Sequence, residues 1–106
     1  MSLDISLAGP EVVLVEKFSA NMTHNVTPMW KLAGIYDALY VSRGKKAGEV
    51  LVVLKAGLKD MRARPFQYRS LDAKNGWGTY DDALPWLVEL VAEFTKYPDA
   101  TIGVSK

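Results

Sequence analysis

The stretch EVVLVEKFSANMTHNVTPMW, residues 11–30, passes from one periodicity to another, and that change decides the fold. Val12, Leu14, Phe18, Ala20 and Met22 share one parity, interrupted only by Glu16, while Val13, Val15, Lys17, Ser19 and Asn21 share the other. Period two with β-branched enrichment predicts a half-buried strand that grows more polar toward its end. Thr27-Pro28 then reads as a helix start, with Asn25 and Thr27 competing for the cap. Threonine offers an oxygen to free backbone N–H groups, and proline costs least in the first helical turn. Met29, Trp30, Ala33 and Tyr36 supply the helical face that follows.

On the N-terminal side, Asp4 to Leu7 alternates weakly and stops at Gly9-Pro10, a turn signal, so a hairpin around Ala8-Gly9-Pro10-Glu11 is expected. Met1-Ser2-Leu3 carries no weight in this reading, as a segment of the kind cloning leaves behind. On the C-terminal side, Gly34 ends or bends the first helix and IYDALY (35–40) resumes it, before the basic loop VSRGKKAG (41–48). From Lys45 to Arg64 the pattern is helical. Ala47, Leu51, Leu54, Leu58 and Met61 fall at steps of four and three, with Val50 widening the stripe, and Pro65 stops the helix. FQYRSLDAK (66–74) is expected to hold no more than a short helical turn. NGWGTYDD (75–82) is a loop running into a helix, with Thr79 as N-cap and Asp82 three residues on. Leu84, Leu87, Val88, Val91 and Phe94 form its buried face, and Pro85 predicts a local distortion. Tyr97-Pro98-Asp99 ends that helix, and ATIGVS (100–105) is a last short strand.

Strands, then helices, then a strand predict an α+β fold rather than alternating α/β units. The expected architecture is a small antiparallel sheet, made of the N-terminal hairpin and the C-terminal strand and covered by about three helices. Residues 1–106 form one domain, and the C-terminal strand is expected beside residues 11–20. The chain has 106 residues, of which 49% are apolar and 24% charged, and its net charge is +1. That balance fits a folded globular chain and provides no global field for nucleic acid or anionic lipid. With no cysteine, disulfides, thiolate nucleophiles and Cys-based zinc sites are excluded. No apolar run is long enough to cross a bilayer and no secretory signal is visible, so a cytoplasmic location is expected.

Four motifs occur in one order: Asn21-x-Thr23-His24-Asn25, Ala33-Gly34-Ile35-Tyr36-x-Ala38-Leu39, Asn75-Gly76-Trp77-Gly78-Thr79-Tyr80 and Tyr97-Pro98-Asp99-Ala100. Their succession, over roughly residues 12 to 105, resembles a family of small bacterial, phage and prophage proteins with no established activity. The resemblance implies an origin and no mechanism. The chain departs from that family at Tyr40-Val41-Ser42-Arg43, where an aromatic-Arg-Pro is usual, and at Pro85.

His24 is the only histidine and the one candidate acid/base. As a general base it needs a nucleophile or water in reach and a partner to orient its ring, a part Asp81, Asp82, Asn25 or Asn75 could take. The plainer account has it bracing the strand-to-helix turn. One histidine among scattered carboxylates lacks metal-ligand spacing, so no metal and no cofactor are expected. Gly76-x-Gly78-Thr79 permits close backbone approach of an anion, but Asp81 and Asp82 already answer the helix dipole, so capping is the better account. Trp77 between two glycines is expected to plug the core, with stacking on a ligand base or sugar as the alternative. Lys55, Lys59 and Arg62 share one helical flank and read as a solvated face, so a nucleic-acid partner is not preferred.

The ligand-binding candidates are therefore His24, Asn25, Trp77 and Tyr80. The expected function is a non-enzymatic binding or interaction module with an unknown small-molecule or protein partner; the resemblance alone adds a phage accessory or anti-defence setting. The alternatives are a small hydrolase or nuclease using His24, and a structural module that self-associates as a homo-oligomer.

Overall fold

The computed structural model describes residues 2–9 and 16–106. Within them the order is β1 (Ser2–Ala8), β2 (Glu16–Thr23), α1 (Thr27–Leu32), α2 (Tyr36–Tyr40), α3 (Ala47–Ala63), α4 (Pro65–Arg69), α5 (Tyr80–Lys96) and β3 (Thr101–Ser105). The α+β class and the antiparallel sheet are as the sequence predicts. Residues 11–15 of the expected strand, and the tip of the expected hairpin turn, lie outside the described residues.

The three strands are ordered β2-β1-β3, both pairings antiparallel. This corrects one expectation: the C-terminal strand lies beside β1 and not beside residues 11–20. Burial explains the order. Leu3, Ile5 and Leu7 on β1 are fully buried, whereas Phe18, Ala20 and Met22 on β2 are only partly so. The strand with the deepest side chains takes the centre, where neighbours cover both of its edges. Each such side chain stabilises the fold by about 1.5–3 kcal/mol. Leu3, to which the sequence reading gave no weight, is therefore a core residue.

Register carries the same parity across the sheet. Leu3 faces Met22, Ile5 sits between Ala20 and Val104, and Leu7 sits between Phe18 and Ile102. The opposite face carries Asp4, Ser6, Ser19, Asn21, Gly103 and Ser105, none of them buried. The helices pack on the apolar face, with α3 and α5 supplying Leu54, Leu58, Met61, Leu87, Leu90 and Phe94 to the core.

Local chemistry sets the helix ends. α1 closes in a Schellman arrangement: Gly34 N donates to Lys31 O at 3.1 Å and Ile35 N to Trp30 O at 2.9 Å, with Ile35 and Trp30 both buried. The single expected helix is thereby split into α1 and α2. α3 starts with Lys46 N donating to the Glu49 carboxylate at 2.6 Å, and Ala47 N and Gly48 N donate to the carbonyls of Ala100 and Pro98. The helix thus begins against the turn that launches β3. Pro85 lies inside α5, and both it and Asp81, whose carbonyl loses its usual donor, are exposed to water.

The first four residues of FQYRSLDAK, with Pro65, form the short helix α4, which returns Tyr68 to α3. Asp60 accepts from Arg64 Nε at 3.0 Å, Arg64 Nη2 at 2.6 Å and the Tyr68 hydroxyl at 2.5 Å. Those donors hold the Asp60 carboxyl below the usual carboxylate range, Arg64 contributing most. A carboxyl lowered on folding adds stability above its unfolded pKa, and the gain is lost as pH falls through the folded value. Asp60→Asn should therefore melt below the wild type near pH 7, and that deficit should narrow toward about pH 2–3. Melting curves for both proteins across this range check it; a deficit that does not change with pH contradicts the role assigned to the charge.

Candidate functional site

At the end of the sheet the chain turns through His24, Asn25 and Val26 in one 3-10 turn before α1 begins. The strand-to-helix junction is therefore capped earlier than expected. Thr23, rather than Asn25 or Thr27, supplies the capping oxygen, accepting from Asn25 N at 3.2 Å. Thr27 is the first residue of α1, and its hydroxyl donates back to the His24 carbonyl. Inserting the 3-10 turn moves the cap upstream and leaves the Asn25 side chain free for another partner.

That partner is the Trp77 loop. Asn25 Nδ2 donates to the Trp77 carbonyl at 2.8 Å, and Trp77 N donates to Asn75 Oδ1 at 3.0 Å. Gly76 and Gly78 have φ of 77° and 108°, values that L side chains rarely adopt. Gly78 is buried against the turn, where an added Cβ would stand 2.9 Å from Asn25 Cβ and 3.1 Å from both Thr23 and Val26 side-chain carbons. With the glycine taking the inward position, Trp77 points outward and is 73% exposed. The expectation that Trp77 plugs the core is thus corrected. Trp30 has that role, fully buried and 5.6 Å from the Trp86 ring.

His24 Nδ1 lies 2.7 Å from the Tyr40 hydroxyl. Burial pushes the Tyr40 phenol above its ordinary pKa, so it keeps its proton. The phenol can donate to Nδ1 or accept from it, so the imidazole tautomer sets the direction of this bond, and Nε2 is left for another partner. Among the described residues, no other group bonds the His24 ring. Tyr40 stacks on Tyr36 at 4.5 Å, which fixes the phenol that fixes the imidazole. None of the expected orienting groups takes this part. Asp81 pairs with Arg69 at 2.8 Å, and Asp82 and Thr79 form a reciprocal capping box. The orienter Tyr40 was legible only as one member of an i, i+4 tyrosine pair on α2.

His24 and Trp77 line one open depression of ≈530 Å3. The other lining groups are the hydroxyls of Ser2 and Thr23 and the amides of Asn21, Asn25 and Asn75. Their internal bonds leave a mixed set available. Asn21 Nδ2 donates to Ser2 Oγ and Asp4 Oδ1, which leaves its carbonyl oxygen; Asn25 likewise keeps its oxygen, and Asn75 keeps its NH2. A second depression of ≈580 Å3 lies across Trp77 and includes Met22, Pro85, Trp86, Asp82 and Glu89.

Tyr80, the fourth candidate, is not part of either depression. Its ring is buried and its hydroxyl donates to the Met61 carbonyl at 2.7 Å, closing the end of α3 against α5. Its backbone N–H donates to Asp72 at 2.7 Å, so with Thr79 and Asp82 the start of α5 is already supplied with acceptors. The Gly76-x-Gly78-Thr79 loop is therefore a cap and a docking surface for the His24 turn, with no cradle left for an anion. Lys55, Lys59 and Arg62 are exposed along α3. Among the described residues, no three His, Asp or Glu side chains come together in a way that could hold a metal ion, and no helix is long and apolar enough to cross a membrane. Comparison of the chain with protein-family models, with curated proteins and with solved structures gave no match.

The loop's seat on the turn makes Gly78 a sensitive position. Gly78→Ala should cost about 1–3 kcal/mol, from the strained φ and from contacts that the backbone must yield to relieve. Chemical denaturation measures the loss, and Trp77 emission should shift as the loop lifts. An unchanged midpoint and spectrum would mean that the loop is not seated on His24-Asn25-Val26.

Proposed function

We infer that this protein is a non-enzymatic binding module whose ligand seats on Trp77 beside His24. The observation that carries the reading is the 73% exposure of Trp77 at the tip of a loop whose backbone is tied down on both sides of the ring. A large apolar surface held in water by a rigid scaffold is costly unless something covers it. The depression beside it falls in the size range of small-molecule sites, roughly 300–1,000 Å3. Its polar groups are oriented in advance by Tyr40, Trp77 and Asn21, which lowers the ordering cost of binding.

The acid–base alternative has less support. Catalysis at His24 needs a nucleophile or activated water, and groups to stabilise developing charge. The depression offers His24 Nε2 without a lining carboxylate or cation beside it. A residue that offers one ring nitrogen to a bound ligand fits this setting better.

The test compares wild type with Trp77→Ala in a thermal-shift screen spanning neutral, anionic and cationic small molecules, oligonucleotides and peptides. Trp77→Ala should leave unliganded stability within about 0.5 kcal/mol, as surface substitutions do, while abolishing the shifts seen with wild type. A screen in which no shift depends on Trp77 overturns the reading. The motif succession supports a phage or prophage origin, and we propose an accessory or anti-defence role as its setting. Expression in a bacterial host that restricts a phage should then raise the plating efficiency of that phage; no change with any restricted phage removes the role.

A further inference from the structure

The chemistry around Trp77 is selective about what could cover it. The depression shared with His24 is lined by amides, hydroxyls, one imidazole and the indole, with no Lys, Arg, Asp or Glu among the lining residues. Across the ring, the second depression adds apolar surface and two carboxylates, Asp82 and Glu89. Proteins that stack nucleic-acid bases pair the aromatic platform with a basic groove, because each nucleotide brings a phosphate. Here neither side of the platform offers a cation, and one side offers like charge. Lys74 precedes Asn75 in the chain but lines neither depression.

The available hydrogen-bonding groups narrow the choice further. Asn21 and Asn25 present carbonyl oxygens, while Asn75 presents an NH2 and His24 its second ring nitrogen. A phosphate or carboxylate only accepts, and an ammonium only donates, so either would leave part of this set unmatched. A hydroxyl does both. A ligand dense in hydroxyls, with an apolar face to lay on an indole, satisfies the whole arrangement. Pyranose rings have that form: their hydroxyls lie around the rim, and their C–H bonds, weakly positive, pack against the electron-rich aromatic face. A depression on each side of the ring allows neighbouring units of a chain to continue past it.

Resting on the binding-module reading above, we propose that the ligand is a neutral oligosaccharide, one ring of which stacks on Trp77 with its hydroxyls on Asn21, Asn25, Asn75 and His24. The probes are hexasaccharides of glucose, mannose, galactose and N-acetylglucosamine, with an oligothymidylate and an acidic peptide as the other arms, titrated by calorimetry into the full chain. At least one neutral hexasaccharide should bind. Its Kd should rise roughly tenfold or more in Trp77→Ala, the scale of losing one stacking platform, and stay near the wild-type value in Trp77→Phe. Binding should be insensitive to salt between about 50 and 500 mM, because no phosphate or carboxylate is being neutralised. If no hexasaccharide binds while the oligothymidylate or the peptide binds in a Trp77-dependent way, the sugar assignment is overturned and the binding module stands. If neither these probes nor the broader screen give binding that depends on Trp77, both are overturned.

Discussion

The sheet can be covered on one face only, and most of the architecture follows from that constraint. With Leu3, Ile5 and Leu7 pointing one way from β1 and Asp4 and Ser6 the other, register forces β2 and β3 to divide along the same line. Slipping either strand by one residue would turn its apolar set to water, so the register is strongly specified. All helices must then gather on one side. The chain leaving β2 has to cross from the sheet to the helical layer at the sheet's end, and it does so through the turn that holds His24. The start of α5 is brought to the same place, where Gly78 closes on that turn. The candidate site is thus a consequence of the layer change and needs no structure of its own.

Much of this was legible in the sequence, because it depends on local signals. Period two over residues 16–22, the capping box at Thr79, the stop at Pro65 and the alternating terminal strand each act within a few residues, and each is found in its expected place. Strand order was not legible, since it depends on relative burial among strands far apart in sequence. Phe18 looks as apolar as Leu7, and only their places in the sheet, edge against centre, separate them. Nor could the cap at Thr23 be distinguished from its neighbours. Asn25 and Thr27 are equally good capping residues, and a 3-10 turn leaves no pattern in three positions.

The site was legible by half. His24, Asn25 and Trp77 were marked by residue type, and they do come together. Tyr80 was marked for its place in the same motif, but its side chain follows the helical period of α5 into the core rather than the loop that precedes it. Ser2, Asn21 and Asn75 reach the depression from three separate segments. Tyr40, 16 residues beyond His24, is brought to the imidazole by the break at Gly34. The loop tryptophan is the instructive case. Large aromatic side chains favour burial, yet at 76–78 the backbone decides. A buried position with no room for a Cβ must go to glycine, and the tryptophan beside it is then turned out.

That inversion bears on why the site is built as it is. Had Trp77 filled the inward position, its burial would have added stability through about 1.5–3 kcal/mol of apolar transfer. The chain instead places a glycine there and holds the loop with the Asn25 and Asn75 bonds, each contributing about 1 kcal/mol net. The arrangement therefore gives up core stability while fixing an exposed ring in one orientation. A loop needed only to cap α5 would gain nothing from this, since Thr79, Asp82 and Asp72 already satisfy the helix start without the indole. A backbone tied down on both sides and outward exposure coincide at Trp77 alone among the three tryptophans. That coincidence sets Trp77 apart from a stray apolar side chain such as Phe66, which is 85% exposed on α4.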